Sequence, residues 1–130
     1  MILLDTCTLL WLVGDPEGLS PAVRTRLDRG GREDVVHVSS ISAFEIAQKI
    51  SKGKLTLGCP VADWWNQALR HARIKEVPID SRIALRAASL PRLHNDPFDR
   101  LIIATAQELR LTLFTPDPAI RAYSGVKIQW

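Results

Sequence analysis

The chain is poor in cysteine, with only Cys7 and Cys59 in 130 residues, and this excludes a small secreted domain held together by disulfides. Long apolar runs are also missing. No stretch reaches the roughly 18 residues of a membrane span. The opening Ile2-Leu3-Leu4 ends at Asp5, too short for the apolar region of a signal peptide. The expectation is a cytoplasmic protein with no membrane partner. Charge of one sign is not strongly in excess either: 17 Lys+Arg stand against 14 Asp+Glu, a formal net charge of +3. That balance permits a polyanionic partner without demanding one. What the chain does have is apolar material, 46% of its residues, enough to build one core in a chain of single-domain length. If several of its acids gather in one pocket, the remaining surface is more cationic than the total suggests, which suits a substrate with a phosphate backbone.

Apolar periodicity supplies the elements. Ile2-Leu3-Leu4-Asp5 reads as a short buried parallel strand ending in a carboxylate. Thr6 can cap a helix carrying Leu9, Leu10, Leu12 and Val13, which Gly14-Asp15-Pro16 breaks. Ser20-Pro21 opens a second helix that Gly30-Gly31 ends, and Val35 to Val38 is strand-like. A helix from Ser42 to Lys52 stops at Gly53, and another follows Pro60. Ile74 to Val77 is a short strand, and a helix around Ile83 to Ala88 closes near Pro91. Phe98, Leu101, Ile102, Ala106 and Leu109 form the apolar stripe of an amphipathic helix, before strands at Leu111 to Thr115 and Val126 to Ile128. No linker or repeat interrupts this alternation. The expectation is one α/β domain over residues 1–130, a three-layer α/β/α architecture around a mostly parallel sheet of four to five strands. Ligands of such sheets bind beyond the carboxyl ends of the strands, where strand order reverses.

Acids collect at that edge. Asp5 closes the first strand, Glu45 follows the Val38 strand, Asp117 follows Thr115, and Asp99 starts a helix that returns antiparallel to the strands. Like charges a few ångströms apart raise each other's pKa, and a cation resolves the conflict. Oxygen donors, with no His or Cys cluster apparent, favour Mg²⁺, with Mn²⁺ as a substitute, over zinc. A metal so held can activate water and neutralise charge on a phosphodiester. Each acid also has a structural alternative. Ser42-x-x-Glu45 fits a capping box, Asp99 sits where a helix macrodipole favours an acid, and Asp117 lies in Thr-Pro-Asp-Pro, a turn composition. Asp5 has few duties besides capping the next helix.

Asp5-Thr6 after an apolar strand, Ser42 to Ala47 with Lys52-Gly53-Lys54-Leu55, His94-Asn95-Asp96-Pro97-Phe98-Asp99-Arg100 running into Leu101 to Ala106, and Thr115-Pro116-Asp117 together resemble a PIN-domain nuclease, more narrowly the VapC-type toxins of toxin–antitoxin pairs. The resemblance spans nearly the whole chain. It implies a metal-dependent endoribonuclease acting on RNA, commonly a homodimer, inhibited by a cognate antitoxin protein near the active-site groove. The family's acidic positions fall on Asp5, Glu45, Asp99 and Asp117 as catalytic metal ligands. Asp96 either holds a metal-bound water or shapes the Asp-Pro turn. Thr6 and Thr115 are hydroxyls that could orient carboxylates or waters, or serve as cap and strand end.

Other side chains carry weaker signals. Arg100 could contact phosphate, although an arginine flanking acids more often forms a salt bridge. His94 could donate to a phosphate, but a single loop histidine is no basis for acid catalysis. Arg24, Arg26, Arg29 and Arg32 could track RNA or form a solvated helix face. Trp11, Trp64 and Trp65 read as core or interface packing before base stacking. Two other functions remain compatible with the residues: an RNA-processing nuclease without an antitoxin, and a non-catalytic α/β module.

Overall fold

The computed structural model describes residues 1–130, the side chains of residues 30–33 excepted. Ile2–Leu4 (β1), Val36–Ser39 (β2), Lys75–Val77 (β3), Thr112–Phe114 (β4) and Lys127–Gln129 (β5) form one sheet in the order β3-β2-β1-β4-β5. Every pairing is parallel. The connections are Thr6–Gly14 (α1), a 3₁₀ turn at Pro16–Gly18, Pro21–Glu33 (α2), Ser40–Ser51 (α3), Val61–His71 (α4), Ser81–Ser89 (α5), Pro97–Leu109 (α6) and Pro118–Arg121 (α7). Among the described residues, no helix is long and apolar enough to cross a membrane.

The two-residue period of the strands divides the core. Leu3 and Leu113 point to a layer containing Ile83, Ile102, Ile103 and Ile120. Ile2, Leu4 and Phe114 point the other way, against Leu9, Val23, Ile46 and Trp65. Helices α5 to α7 therefore cover one face and α1 to α4 the other, the expected three layers. All three residues of β1 are buried, as a central parallel strand requires.

Several boundaries differ from expectation. Helix α3 begins at Ser40 because Ser39 ends β2 and caps the helix, its Oγ accepting from Ile41 N at 3.1 Å. Asp117 is followed by the short helix α7, which turn composition alone concealed. The expected stop at Gly30-Gly31 does not occur, because α2 runs on through both glycines to Glu33. The tryptophans pack as the sequence suggested: Trp65 is buried with Nε1 donating to Glu76 at 2.7 Å, and Trp11 tilts against Trp130 at a centroid distance of 5.5 Å. Gly18 closes over Trp11, and a Cβ there would lie 2.5–2.6 Å from its ring atoms. Gly18→Ala is expected to lower stability by about 1–3 kcal/mol through overpacking. Gly14→Ala, with nothing within 4 Å, stays within about 0.5 kcal/mol of wild type. Denaturant unfolding of the two variants checks the pair.

Candidate active site

Strand order reverses beside β1, with β2 on one side and β4 on the other, so the crevice lies beyond Leu4 and Phe114. Asp5 is fixed there. Its backbone N–H donates to Phe114 O at 3.3 Å, and Thr8 Oγ1 donates to the same carbonyl at 3.0 Å. The Asp5 carboxylate, 4% exposed, caps α1 by accepting from Thr8 N at 2.8 Å through Oδ1, which also accepts from Cys7 Sγ at 3.2 Å. Burial, then the Asp5 charge, push the Cys7 thiol far up, so it is not a nucleophile at neutral pH.

Glu45 does not close a capping box, because Ser39 already caps α3. It instead reaches across to α1, where Thr6 Oγ1 donates to its Oε1 at 2.6 Å. With its single proton so used, Thr6 accepts from the buried Ser42 Oγ at 2.9 Å. Lys49 Nζ lies 3.6 Å from Glu45 Oε2. Thr115 Oγ1 accepts from Asp117 N at 3.1 Å, and Asp117 Oδ1 accepts from Ala119 N at 2.9 Å to cap α7. Asp96 is the cap of α6, its Oδ1 accepting from Phe98 N at 2.9 Å and Asp99 N at 3.4 Å.

Asp99 occupies the first turn of α6, with His94 Nε2 2.7 Å from its Oδ2. Burial raises its carboxyl to about 6. The His94 hydrogen bond opposes the rise, and the charges of Asp96 and Glu45 add to it. One ligand atom each from His94, Asp99 and Asp117 lie within 4.8 Å of one another. Two carboxylates and an imidazole are donors of the kind a divalent cation takes, and the cost of ionising Asp99 is one that such a cation removes. The tight group is therefore not the four acids expected. It contains His94, while Asp5 and Glu45 stand outside the three. The signal was the placement of His94 five residues before Asp99 across an Asp-Pro turn; only the fold showed that the ring points back.

The PIN domain family model matches residues 2–126. This chain belongs to the PIN-domain family. It is 34% identical over 123 residues to Ribonuclease VapC22 of Mycobacterium tuberculosis, covering 94% of this chain and 91% of that protein. VapBC2 from Rickettsia felis, solved bound to a DNA fragment from their promoter, shares the fold at a TM-score of 0.74 and 15% identity, covering 99% and 98% of the two chains. FitAcB from Neisseria gonorrhoeae does so at 0.58 and 23%, covering 98% and 96%.

In this PIN domain three arginines have tasks the sequence did not suggest. Among the described residues Arg100 makes no salt bridge. Its Nη2 donates to Ala87 O at 2.8 Å and Leu90 O at 2.9 Å, and its Nη1 to Pro91 O at 3.0 Å, tying α6 to the end of α5. The last carbonyls of a helix lack intrahelical amide donors, and a fork-shaped guanidinium can donate to several at once. Arg26 is held by Gln129 Oε1 at 2.6 Å, by Asp34, and over the Phe114 ring at 5.4 Å. Arg24 donates to Pro16 O, and Arg29 is exposed, as on a solvated face. Arg32 lies outside the described side chains.

Arg100→Ala is expected to cost about 2 kcal/mol, since the carbonyls lose their donor, and Arg100→Lys to recover less than half. Thermal unfolding of both variants checks this. Asp99 adds a pH test. Because its folded value of about 6 exceeds the ordinary 3.8, its contribution is present in full below the lower value and lost as pH rises through the upper. Metal-free Asp99→Asn should therefore gain about 1–3 kcal/mol over wild type near pH 7.5, with no gain below the ordinary carboxylate range. Unfolding followed across pH with chelator present measures it.

Proposed function

We propose that this PIN domain, a single nuclease unit over residues 1–130, is a divalent-metal-dependent endoribonuclease and the toxin of a toxin–antitoxin pair. The observation that carries the reading is the gathering of Asp99 and Asp117 with His94, Glu45 lying near enough for its charge to act on Asp99, at the sheet edge where Asp5 follows the central strand. Asp5, Asp99, Asp117 and Glu45 hold the cation, Mg²⁺ or Mn²⁺. The bound cation supplies an activated water and neutralises charge on the scissile phosphate.

The chain's own residues orient these donors. Asp5 and Asp117 each spend Oδ1 on a helix cap; among the described residues no protein donor is bonded to Oδ2 of either, which leaves that oxygen for the cation. Thr6 and Ser42 hold Glu45 at a fixed angle, and Thr115 does the same for the Asp117 turn. Outer partners of this kind commonly change metal affinity or activity by about 10–100-fold. Asp96 serves as a cap and not as a ligand.

The toxin assignment is supported by the 34% identity to Ribonuclease VapC22 and by the likeness to chains solved as VapBC and FitAcB assemblies. An antitoxin protein is accordingly the inhibitory partner. Phe44, Leu85 and Leu93 are large apolar side chains left exposed, in keeping with a homodimer. The work is cytoplasmic, where RNA is cut.

Purified protein with Mg²⁺ is expected to cleave RNA and to stop when the ion is chelated. Asp5→Asn keeps a side-chain oxygen for the α1 cap, so the fold survives, while cleavage falls by more than the ~100-fold that losing an outer partner costs. Expression of wild type, and not of Asp5→Asn, should arrest growth. Undiminished cleavage by the variant would remove Asp5 from the site, and metal-independent cleavage would overturn the reading altogether.

A further inference from the structure

His94 is built into its position. Its N–H donates to Tyr123 Oη at 3.0 Å, and its carbonyl accepts from Arg100 Nη1 at 3.3 Å. Tyr123 is itself 4% exposed and donates to Pro91 O at 2.9 Å. Both backbone groups of His94 are thus tied to side chains that follow the loop in sequence and pack against the α5–α6 pair. Those ties fix the backbone from which the ring reaches the site. Its side chain is 24% exposed, facing the carboxylates.

The distances fit a ligand. Neighbouring donors around an octahedral cation at 2.0–2.1 Å stand about 3 Å apart, and opposite donors about 4 Å. His94 Nε2 is 2.7 Å from Asp99 Oδ2, and the His94, Asp99 and Asp117 atoms all fall within 4.8 Å. The pair has the spacing of adjacent ligands closed around a hydrogen.

We infer that His94 ligates the divalent cation through Nε2, which makes this an oxygen-rich site with one nitrogen donor that takes Mn²⁺ in preference to Mg²⁺. The inference rests on the metal-dependent reading above and deepens it. Magnesium is a hard ion that holds its waters and gains little from imidazole, whereas Mn²⁺ accepts carboxylates and imidazole together. The surplus of carboxylates over the single nitrogen distinguishes the set from the nitrogen- and sulfur-rich sites that zinc favours.

The test uses the whole protein with one equivalent of Mn²⁺. Three-pulse electron spin-echo spectroscopy of bound Mn²⁺ detects a directly coordinated imidazole as ¹⁴N modulation. Two other histidines exist, His37 and His71, and His37 is engaged at Ile2 O. Modulation is therefore expected in wild type and absent in His94→Gln, which still offers Asp99 a hydrogen bond but no imidazole. In the same variant the Kd for Mn²⁺ should rise about tenfold, and that for Mg²⁺ by less than about threefold, as loss of a nitrogen donor predicts. Bound Mn²⁺ without ¹⁴N modulation in wild type would overturn the inference while leaving the metal-dependent function intact, and so would an equal loss of both ions in the variant. Wild type that binds Mg²⁺ but no Mn²⁺ would overturn the inference alone, and wild type that binds neither ion would overturn the functional reading itself. The wild-type spectrum decides the matter even if the variant folds poorly.

Discussion

Mutual repulsion of carboxylates drawn to one edge of a parallel sheet is the constraint around which the rest of this protein is arranged. Two such charges about 4 Å apart repel by about 4 kcal/mol at the effective dielectric of a protein surface. The chain offsets this acid by acid. Asp5, Asp96 and Asp117 each face the N-terminus of a helix and accept from its free amides, where the helix dipole favours negative charge. Glu45 has Thr6 and Lys49. Asp99 has His94, and burial raises its carboxyl to about 6.

Structural and chemical roles therefore coexist in the same side chains. A cap occupies one carboxylate oxygen and sets the direction of the other, so the bland reading of Asp5 and Asp117 is realised without competing with the functional one. Glu45 is the opposite case: its expected cap is absent, and a hydroxyl chain from Ser42 through Thr6 aims it. The supporting shell extends to Arg100 and Tyr123, which fix the loop carrying His94 although neither belongs to the acidic group.

Much of the fold was legible because it depends on local pattern. The Ile2-Leu3-Leu4 run, the stripe from Phe98 to Leu109 and the Gly and Pro breaks mark their elements by period and composition, and the elements appear within a few residues of expectation. What escaped was set by competition at boundaries. Ser39 outbid Ser42 as a cap because β2 ends at Ser39, and α7 was hidden in a four-residue helix whose start reads as a turn. The contacts of Arg100 and Arg26 are hidden from the sequence for a related reason. A guanidinium takes whichever acceptors the fold brings within reach, and those were carbonyls and an amide oxygen from distant segments.

By itself the sequence determined the α/β alternation, the three layers that follow from the strand period, and the acids that end strands or begin helices, because each is a property of neighbours along the chain. Only the tertiary structure decided which donors meet. It brought His94 to Asp99 and Asp117, and turned Asp96 into a cap. Strand order does this, since β1 lies between β2 and β4, and side chains from separate segments become neighbours only when that order is set.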